Sequence, residues 1–178
     1  AIIALPDGRA KPLDDELYIY MPVAFEAAYV AINARNPLTQ ITTQQLAGIY
    51  GEGAELNLTR WDDIGSGGLL GSRQIQTLAI SADEDMALDL FKFTAMAGQS
   101  LRASVQVHEE EETLYTMLEE ESGTIAILPQ IPESESVKVV PVAEGGGAGS
   151  EELAFDPTPQ NIYYGDYIFR LPLYLVFE

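Results

Sequence analysis

The sequence predicts an α/β fold in which a mixed, mostly parallel sheet is flanked by helices. Two observations support this prediction. Short apolar runs typical of buried strands, such as 124–129, alternate along the chain with segments of helical periodicity, such as 84–98. The length of 178 residues, with 47% apolar residues, suits one domain or two small lobes.

Strand and helix patterns follow one another in order along the chain. We expect strands at 18–33, 74–81, 104–110, 124–129 and 137–142, and helices from Thr42 or Thr43 to Gly51, at 84–98 and at 112–123. We expect 18–33 to form one or two buried strands, interrupted near Met21 and Pro22. Trp61 is the single large apolar anchor of a turn-rich segment and is predicted to be buried. A turn at 164–166 then precedes a long aromatic strand.

Helix 84–98 and the last strand raise two further expectations. Apolar spacing in the helix places Met86, Leu90, Phe91 and Phe93 in contact with the core. Arg170 lies inside an apolar run, where it either faces a cleft or pairs with one of the many acids at the surface.

The composition excludes several classes of function. The chain has 28 Asp and Glu residues against 9 Lys and Arg, a net charge of −19, and no cysteine. Such a charge repels nucleic acid and anionic lipid, so we expect no nucleic-acid partner. No run approaches the ~20 apolar residues that a bilayer-spanning helix needs, so we expect no membrane insertion. The first residues lack a basic n-region, and we expect no signal peptide in this chain, whether absent or removed.

Catalytic and metal-binding patterns receive little support from the residues. His108, the only histidine, is followed by Glu109–Glu112 and fits the end of a surface strand before an acidic helix start better than a metal ligand. A nucleophile elbow is absent. The glycine-rich stretch 143–153 lacks the strand, spacing and Lys-Ser/Thr of a phosphate-binding loop, which favours a flexible connection. We therefore expect no enzymatic activity, no cofactor and no metal.

Five segments carry a resemblance to a known family. In chain order they are GRAKPLDDE, PVAFEAAYVAINARNPLTQITTQQLAGIYGE, LTRWDDIGSGG, SGTIAILP and YYGDYIFRLPLYLVF. In this order they resemble the phosphate-binding proteins of ABC transporters, a branch of the two-lobed periplasmic solute-binding proteins of type 2. The resemblance covers most of residues 8–178 and implies a periplasmic-binding-protein-like lobe working outside the cytoplasm.

The resemblance also implies a division of the chain. Residues 1–178 form a single domain of this type, in which approximately 24–142 are the core of the second lobe. Residues 1–23 and 155–178 are the connecting strands of an incomplete first lobe, because the family's usual opening segment and closing helices have no counterpart here.

The family's anion site corresponds to the turn between the strand 74–81 and the next helix. By this resemblance, Ser81 stands where the family has an arginine, and Asp85, Met86 and Ala87 stand where it has Ser-Gly-Thr. Lys11 or a neighbour stands where the family has an acidic residue that accepts a phosphate proton. These five residues are the candidate ligand-binding residues.

The replacements change the chemistry of that turn. The guanidinium fork, which suits an oxyanion, and both hydroxyls are gone. An anion about 4 Å from Asp85 would meet a repulsion of several kcal/mol at an effective dielectric of about 20. A helix N-terminus offers only about 0.3–1 kcal/mol in return. We therefore expect phosphate binding to be lost or altered, with Asp83–Asp85 serving to cap the helix.

Two functions remain open from the sequence. The first is a solute-binding-like domain that takes a different small solute or a protein partner, such as a membrane transporter or a larger surface assembly. The second is a non-catalytic structural or protein-interaction domain without a small ligand.

Overall fold

The computed structural model describes residues 2–4, 19–81, 86–145 and 153–177. The strands are β1 (Ile2–Ala4), β2 (Ile19–Ala27), β3 (Tyr29–Asn33), β4 (Ile41–Thr42), β5 (Gln76–Ile80), β6 (Gln106–His108), β7 (Thr124–Leu128), β8 (Val137–Val139), β9 (Val142–Ala143), β10 (Ala154–Phe155) and β11 (Arg170–Phe177). The helices are α1 (Thr43–Tyr50), α2 (Ala87–Met96), α3 (Glu111–Glu120) and α4 (Pro159–Tyr164), with 3₁₀ turns at Trp61–Ile64 and Gly68–Leu70.

A five-stranded sheet with the order β6-β5-β7-β3-β8 forms the centre of the described chain. Strand β5 pairs in parallel with β6 and β7, whereas β3 pairs antiparallel with β7 and β8. The predicted α/β fold with a mixed sheet is confirmed, but parallel pairs do not predominate. A parallel pair needs a crossover connection, and within this sheet α2 and α3 supply one each.

Helices cover both faces of this sheet, as the side-chain alternation along its strands requires. In β7, Ile125 and Ile127 join the core beneath α1 and α2, while Ala126 and Leu128 join the core beneath α3. All five residues of β7 are buried, which explains why 124–129 is continuously apolar.

The helix and turn predictions in the first half of the chain are confirmed. Thr42 caps α1 through a capping box with Gln45, and Gly51 closes the helix. Trp61 is fully buried, and its indole N–H donates to the carbonyl of Gly123 at 3.1 Å. The tryptophan turn is thereby attached to the start of β7.

A second sheet has the order β1-β11-β2, with both pairings antiparallel, and it corrects the prediction for 18–33. The chain breaks at Ala28, whereas Pro22 lies within β2. Proline is tolerated there because β2 is an edge strand of the described sheet and a register shift lies opposite, between Leu173 and Tyr174. The expectation of burial is wrong for most of β2, which is largely exposed.

Three further predictions need correction. Met86 and Phe93 are not core residues: they are 42% and 53% exposed, and Phe93 lies about 200° around the helix from the fully buried Phe91. The apolar run 137–142 is divided between β8, in the five-stranded sheet, and β9, in a third sheet with the order β10-β9-β4. Helix α4 was not predicted, although Thr158 at its N-cap and Pro159 at its first position are typical of a helix start.

Parts of two other predictions lie outside the described residues. The glycine-rich stretch is described up to Gly145 and again from Leu153. The acidic residues Asp83–Asp85 are also outside the described ranges. None of the helices within those ranges combines the length and the apolar character that crossing a bilayer requires.

Candidate functional site

The chain topology predicts a ligand crevice at the carboxyl ends of β5 and β6. Helix α2 follows β5 on one face of the sheet, and α3 follows β6 on the opposite face. Neighbouring strands whose connections leave towards opposite faces form the switch point where open α/β sheets bind their ligands. Ser81 follows β5 and His108 ends β6, so these two residues border the crevice.

The structure describes three of the five predicted site residues, and all three lie along this connection. Ser81 is exposed, and its backbone N–H donates to the carbonyl of His108 at 2.9 Å. Met86 is the N-cap of α2 and is 42% exposed, while Ala87 opens the helix and is buried. Lys11 and Asp85 lie outside the described residues.

The start of α2 offers an anion little beyond its backbone. The Met86 side chain makes no capping hydrogen bond, and the next two side chains, Ala87 and Leu88, are apolar and buried. The first charged side chain of the helix is Asp89, in its first turn, where a carboxylate already complements the positive end of the helix dipole. Asp89 pairs with Lys92 at 2.6 Å, which engages the one cation of the helix.

His108 borders the crevice, although the sequence predicted only a strand end there. That prediction is confirmed, since β6 ends at His108 and α3 begins at Glu111 with two acids in its first turn. The structure adds that the Nε2 atom of His108 is shielded from solvent and has no hydrogen-bond partner among the described residues. No group of three or more metal-ligating side chains exists within the described part of the chain.

Two buried tyrosines fix the strands behind the crevice. The hydroxyl of Tyr50 lies 3.1 Å from the carbonyl oxygen of Leu78 and 3.0 Å from that of Ile125, which bridges β5 and β7. Tyr167 donates to the carbonyl of Ala28 at 2.7 Å, at the break between β2 and β3. Burial raises the pKa of both phenols, so they remain neutral donors.

Arg170 has a structural contact that the sequence left open. Its guanidinium donates to the carbonyls of Ile162 and Tyr163 at 3.2 and 3.4 Å, at the end of α4. It also lies over the ring of Phe25, 5.4 Å from the centroid. Arg170 thus stabilises the C-terminus of α4, as a cation near the negative end of a helix dipole does.

The architecture is that of a periplasmic-binding-protein-like fold, the fold of phosphate-binding receptors of ABC transporters. The chain superimposes on a possible phosphate-binding protein from Planctomyces limnophilus with a TM-score of 0.74 and 17% identity, covering 98% of this chain and 63% of that one. It superimposes on an ABC-type phosphate transport receptor from Vibrio cholerae with a TM-score of 0.70 and 18% identity, covering 98% of this chain and 65% of that one.

One curated protein is similar to the chain in sequence. The chain is 28% identical to Protein SphX from Synechococcus elongatus over 153 residues, which are 84% of this chain and 43% of that protein. No model of a known protein family matches the chain. The chain therefore spans less than half of this curated relative and less than two thirds of the two solved structures.

Proposed function

We propose that the chain is an extracytoplasmic solute-binding-type domain whose β5–α2 turn does not hold phosphate in the ordinary way. The fold supports the first part, because it is shared with an ABC-type phosphate transport receptor and a possible phosphate-binding protein. The proposed ligand is a small solute other than a tetrahedral oxyanion, and the proposed protein partner is a membrane transporter or a larger surface assembly. No catalytic role and no cofactor are part of this proposal.

The separation of β1-β11-β2 from the five-stranded sheet supports a division of the chain within this function. We propose that residues of approximately 24–142 form the core of one lobe, which contains the five-stranded sheet. Residues 1–23 and 155–178 would contribute the connecting strands of the other lobe. The pairing of β11 with β1 and β2, separate from the five-stranded sheet, supports this division.

One observation carries the proposed loss of ordinary phosphate binding: the N-cap Met86 and the first two helical residues, Ala87 and Leu88, have side chains that cannot donate a hydrogen bond to an anion. Among the described residues, Ser81 has a hydroxyl beside the turn, but its backbone N–H already donates to the carbonyl of His108. A preorganised oxyanion site needs several converging donors or a cation. The sequence adds the carboxylates of Asp83–Asp85 to the same connection.

A solute titration by thermal unfolding tests this function. A ligand that binds only the folded protein raises the melting temperature by mass action. We expect no rise with millimolar phosphate or sulfate beyond that of sodium chloride at equal ionic strength. A rise with a neutral or cationic solute from a panel of sugars, amino acids and divalent cations would identify the class of ligand. A melting temperature that is higher in phosphate than in sodium chloride at equal ionic strength would contradict the proposal.

A double substitution tests whether the residues of the β5–α2 turn are the reason that phosphate does not bind. Ser81→Arg with Asp85→Ser restores a guanidinium and a hydroxyl at the family positions, so phosphate should then raise the melting temperature. Leu69→Arg is the matched control, because it adds a cation at a fully exposed position on the 3₁₀ turn Gly68–Leu70. An equal response of the two variants would mean that the added charge acts non-specifically.

The second candidate function is a protein-interaction domain without a small ligand. It is favoured by the exposed apolar side chains Met86 and Phe93 on α2, next to the same turn. If no solute in the panel changes the melting temperature, this second function is the better description.

A further inference from the structure

A small cavity lies at the amino ends of β5 and β6, at the opposite end of these strands from Ser81 and His108. Its volume is about 140 Å³, which is room for about five water molecules. All of its lining residues fall within 49–104, the part of the chain that contains β5. We call it the Arg102 cavity, after the single charged side chain among the described residues that line it.

Arg102 is half-buried and forms no ion pair with any residue in the described ranges. Its Nε and Nη2 atoms donate to the carbonyls of Gly51 and Leu56 at 2.9 and 3.3 Å. A guanidinium carries five N–H donors, so both donors of Nη1 and one of Nη2 remain. The two carbonyls therefore hold the side chain in place without neutralising its charge.

Thr77, in β5, adds a buried hydroxyl to the cavity. It is 5% exposed and has no hydrogen-bond partner among the described residues. Buried polar side chains are normally hydrogen-bonded, because an unpartnered one costs free energy. The other buried polar residues of the described ranges all form side-chain hydrogen bonds: Asn33, Asn36, Ser66 and Thr124. Thr77 is the exception, and it lies in a cavity.

The walls of the Arg102 cavity are apolar. Ile49 is buried, and Leu58 and Ile75 are partly buried and pack against the same core. A phosphate or sulfate ion would leave these walls uncovered, whereas a short hydrocarbon chain would cover them. A planar carboxylate also matches the fork of a guanidinium. The lining therefore favours a ligand with a carboxylate at one end and an apolar chain at the other.

We propose that the Arg102 cavity binds a small monocarboxylate with a hydrocarbon tail of about two or three carbons, a size set by the cavity volume. The carboxylate accepts hydrogen bonds from the guanidinium of Arg102 and the hydroxyl of Thr77. The tail lies against Ile49, Leu58 and Ile75. Strand β5 separates this site from Ser81 by about 16 Å, so the site is distinct from the β5–α2 turn.

A titration of the ¹⁵N-labelled chain with butyrate at neutral pH tests this proposal through the amide chemical shifts. Sodium chloride at equal ionic strength is the reference. We expect saturable shifts centred on residues 74–77 and 102–104. Butyramide has the same shape without the charge and should leave these amides unshifted at equal concentration.

Three variants test the assigned contacts. Thr77→Val removes the hydroxyl and keeps the shape of the side chain, so butyrate should bind about threefold to tenfold more weakly. Arg102→Lys keeps the positive charge but removes the fork, and should weaken binding at least about tenfold. Thr113→Val is the matched control, because Thr113 is exposed on α3, which packs on the opposite face of the sheet. Thermal unfolding checks that the variants remain folded.

Three outcomes would overturn the proposal. The first is the absence of saturable shifts at the cavity with butyrate. The second is equal binding of butyramide, which would reduce the site to apolar contact. The third is equal affinity of Thr77→Val and Thr113→Val for butyrate, which would exclude the buried hydroxyl even if Arg102→Lys failed to fold.

The same spectra separate this proposal from the proposed function. Phosphate that shifts the amides of residues 74–77 and 102–104 as butyrate does would contradict the preference for a monocarboxylate. Phosphate that shifts the amides of Ser81, Met86 and Ala87 would instead contradict the proposed loss of phosphate binding at the β5–α2 turn.

Discussion

Arginine side chains at helix C-termini are a recurring feature at the residue scale. Arg35 donates to the carbonyl of Glu120 at 3.1 Å at the end of α3, and Arg102 donates to the carbonyl of Gly51 at 2.9 Å at the end of α1. Arg170 does the same for α4. In a chain with 28 acidic residues, these scarce cations contact backbone carbonyls that would otherwise lack partners.

The contact between Arg170 and Gly165 gives a testable consequence. Gly165 has φ of +89°, and a Cβ there would lie 2.5 Å from Nη2 of Arg170. Gly165→Ala should therefore combine backbone strain of about 1–2 kcal/mol with displacement of the guanidinium. Gly53→Ala is the control, since Gly53 has φ of +70° and an added Cβ there would meet no atom within 4 Å. Urea unfolding should show the larger loss for Gly165→Ala.

Repeating the measurement in an Arg170→Met variant separates backbone strain at Gly165 from displacement of the guanidinium. With Arg170→Met in place, the excess loss of Gly165→Ala over Gly53→Ala should shrink, because the displaced guanidinium is gone. An unchanged excess would show that the contact with Arg170 contributes nothing.

The buried tyrosines predict how stability depends on alkaline pH. Burial raises the pKa of Tyr50 and Tyr167 above the ordinary value of about 10. Their contribution to the free energy of unfolding is fully present below pH ~10 and is lost above it, because the two phenols lose their protons at lower pH in the unfolded chain than in the folded protein. The free energy of unfolding should therefore fall as the pH rises above about 10. Tyr167→Phe should reduce that slope, and an identical slope would contradict the assignment.

At the element scale, capping decides where α1 begins. The hydroxyl of Thr42 accepts from the N–H of Gln45 at 3.1 Å, and the side chain of Gln45 accepts from the N–H of Thr42 at 3.0 Å. Thr42→Ala should lower the free energy of unfolding by about 1 kcal/mol. Thr39→Ala, on an exposed loop residue, should change it little. Equal effects of the two substitutions in urea unfolding would argue against the capping box.

Local patterns account for the elements that the sequence predicted correctly. The box of Thr42 and Gln45, the buried run of β7 and the burial of Trp61 each depend on neighbouring residues or on strong apolarity. The sheet assignment of 137–142 and the exposure of β2 depend on which strand lies alongside, and no local pattern encodes that. Helix α4 is only six residues long, so its periodicity was too short to recognise.

The candidate site was predictable in part for a similar reason. The resemblance located the connection after β5, and the structure places Ser81, Met86 and Ala87 along it. The proximity of His108 to Ser81 comes from the parallel pairing of β5 and β6, which the sequence does not specify. That any of these residues contacts a ligand stays a prediction.

At the scale of the whole molecule, the fold and the chemical groups at the site lead to different expectations about phosphate binding. The chain as a whole superimposes on a possible phosphate-binding protein and on an ABC-type phosphate transport receptor. Fold alone does not imply function, which is determined by the groups at the site. The groups described at this site are apolar side chains, one exposed serine, one histidine and the ion pair of Asp89 with Lys92.

A crystal structure of the chain grown in phosphate tests the central claim most directly, because it shows where an anion binds. The account predicts no phosphate on the backbone N–H groups of residues 85–87. A phosphate held by those N–H groups, with the melting temperature raised by phosphate in solution, would contradict it.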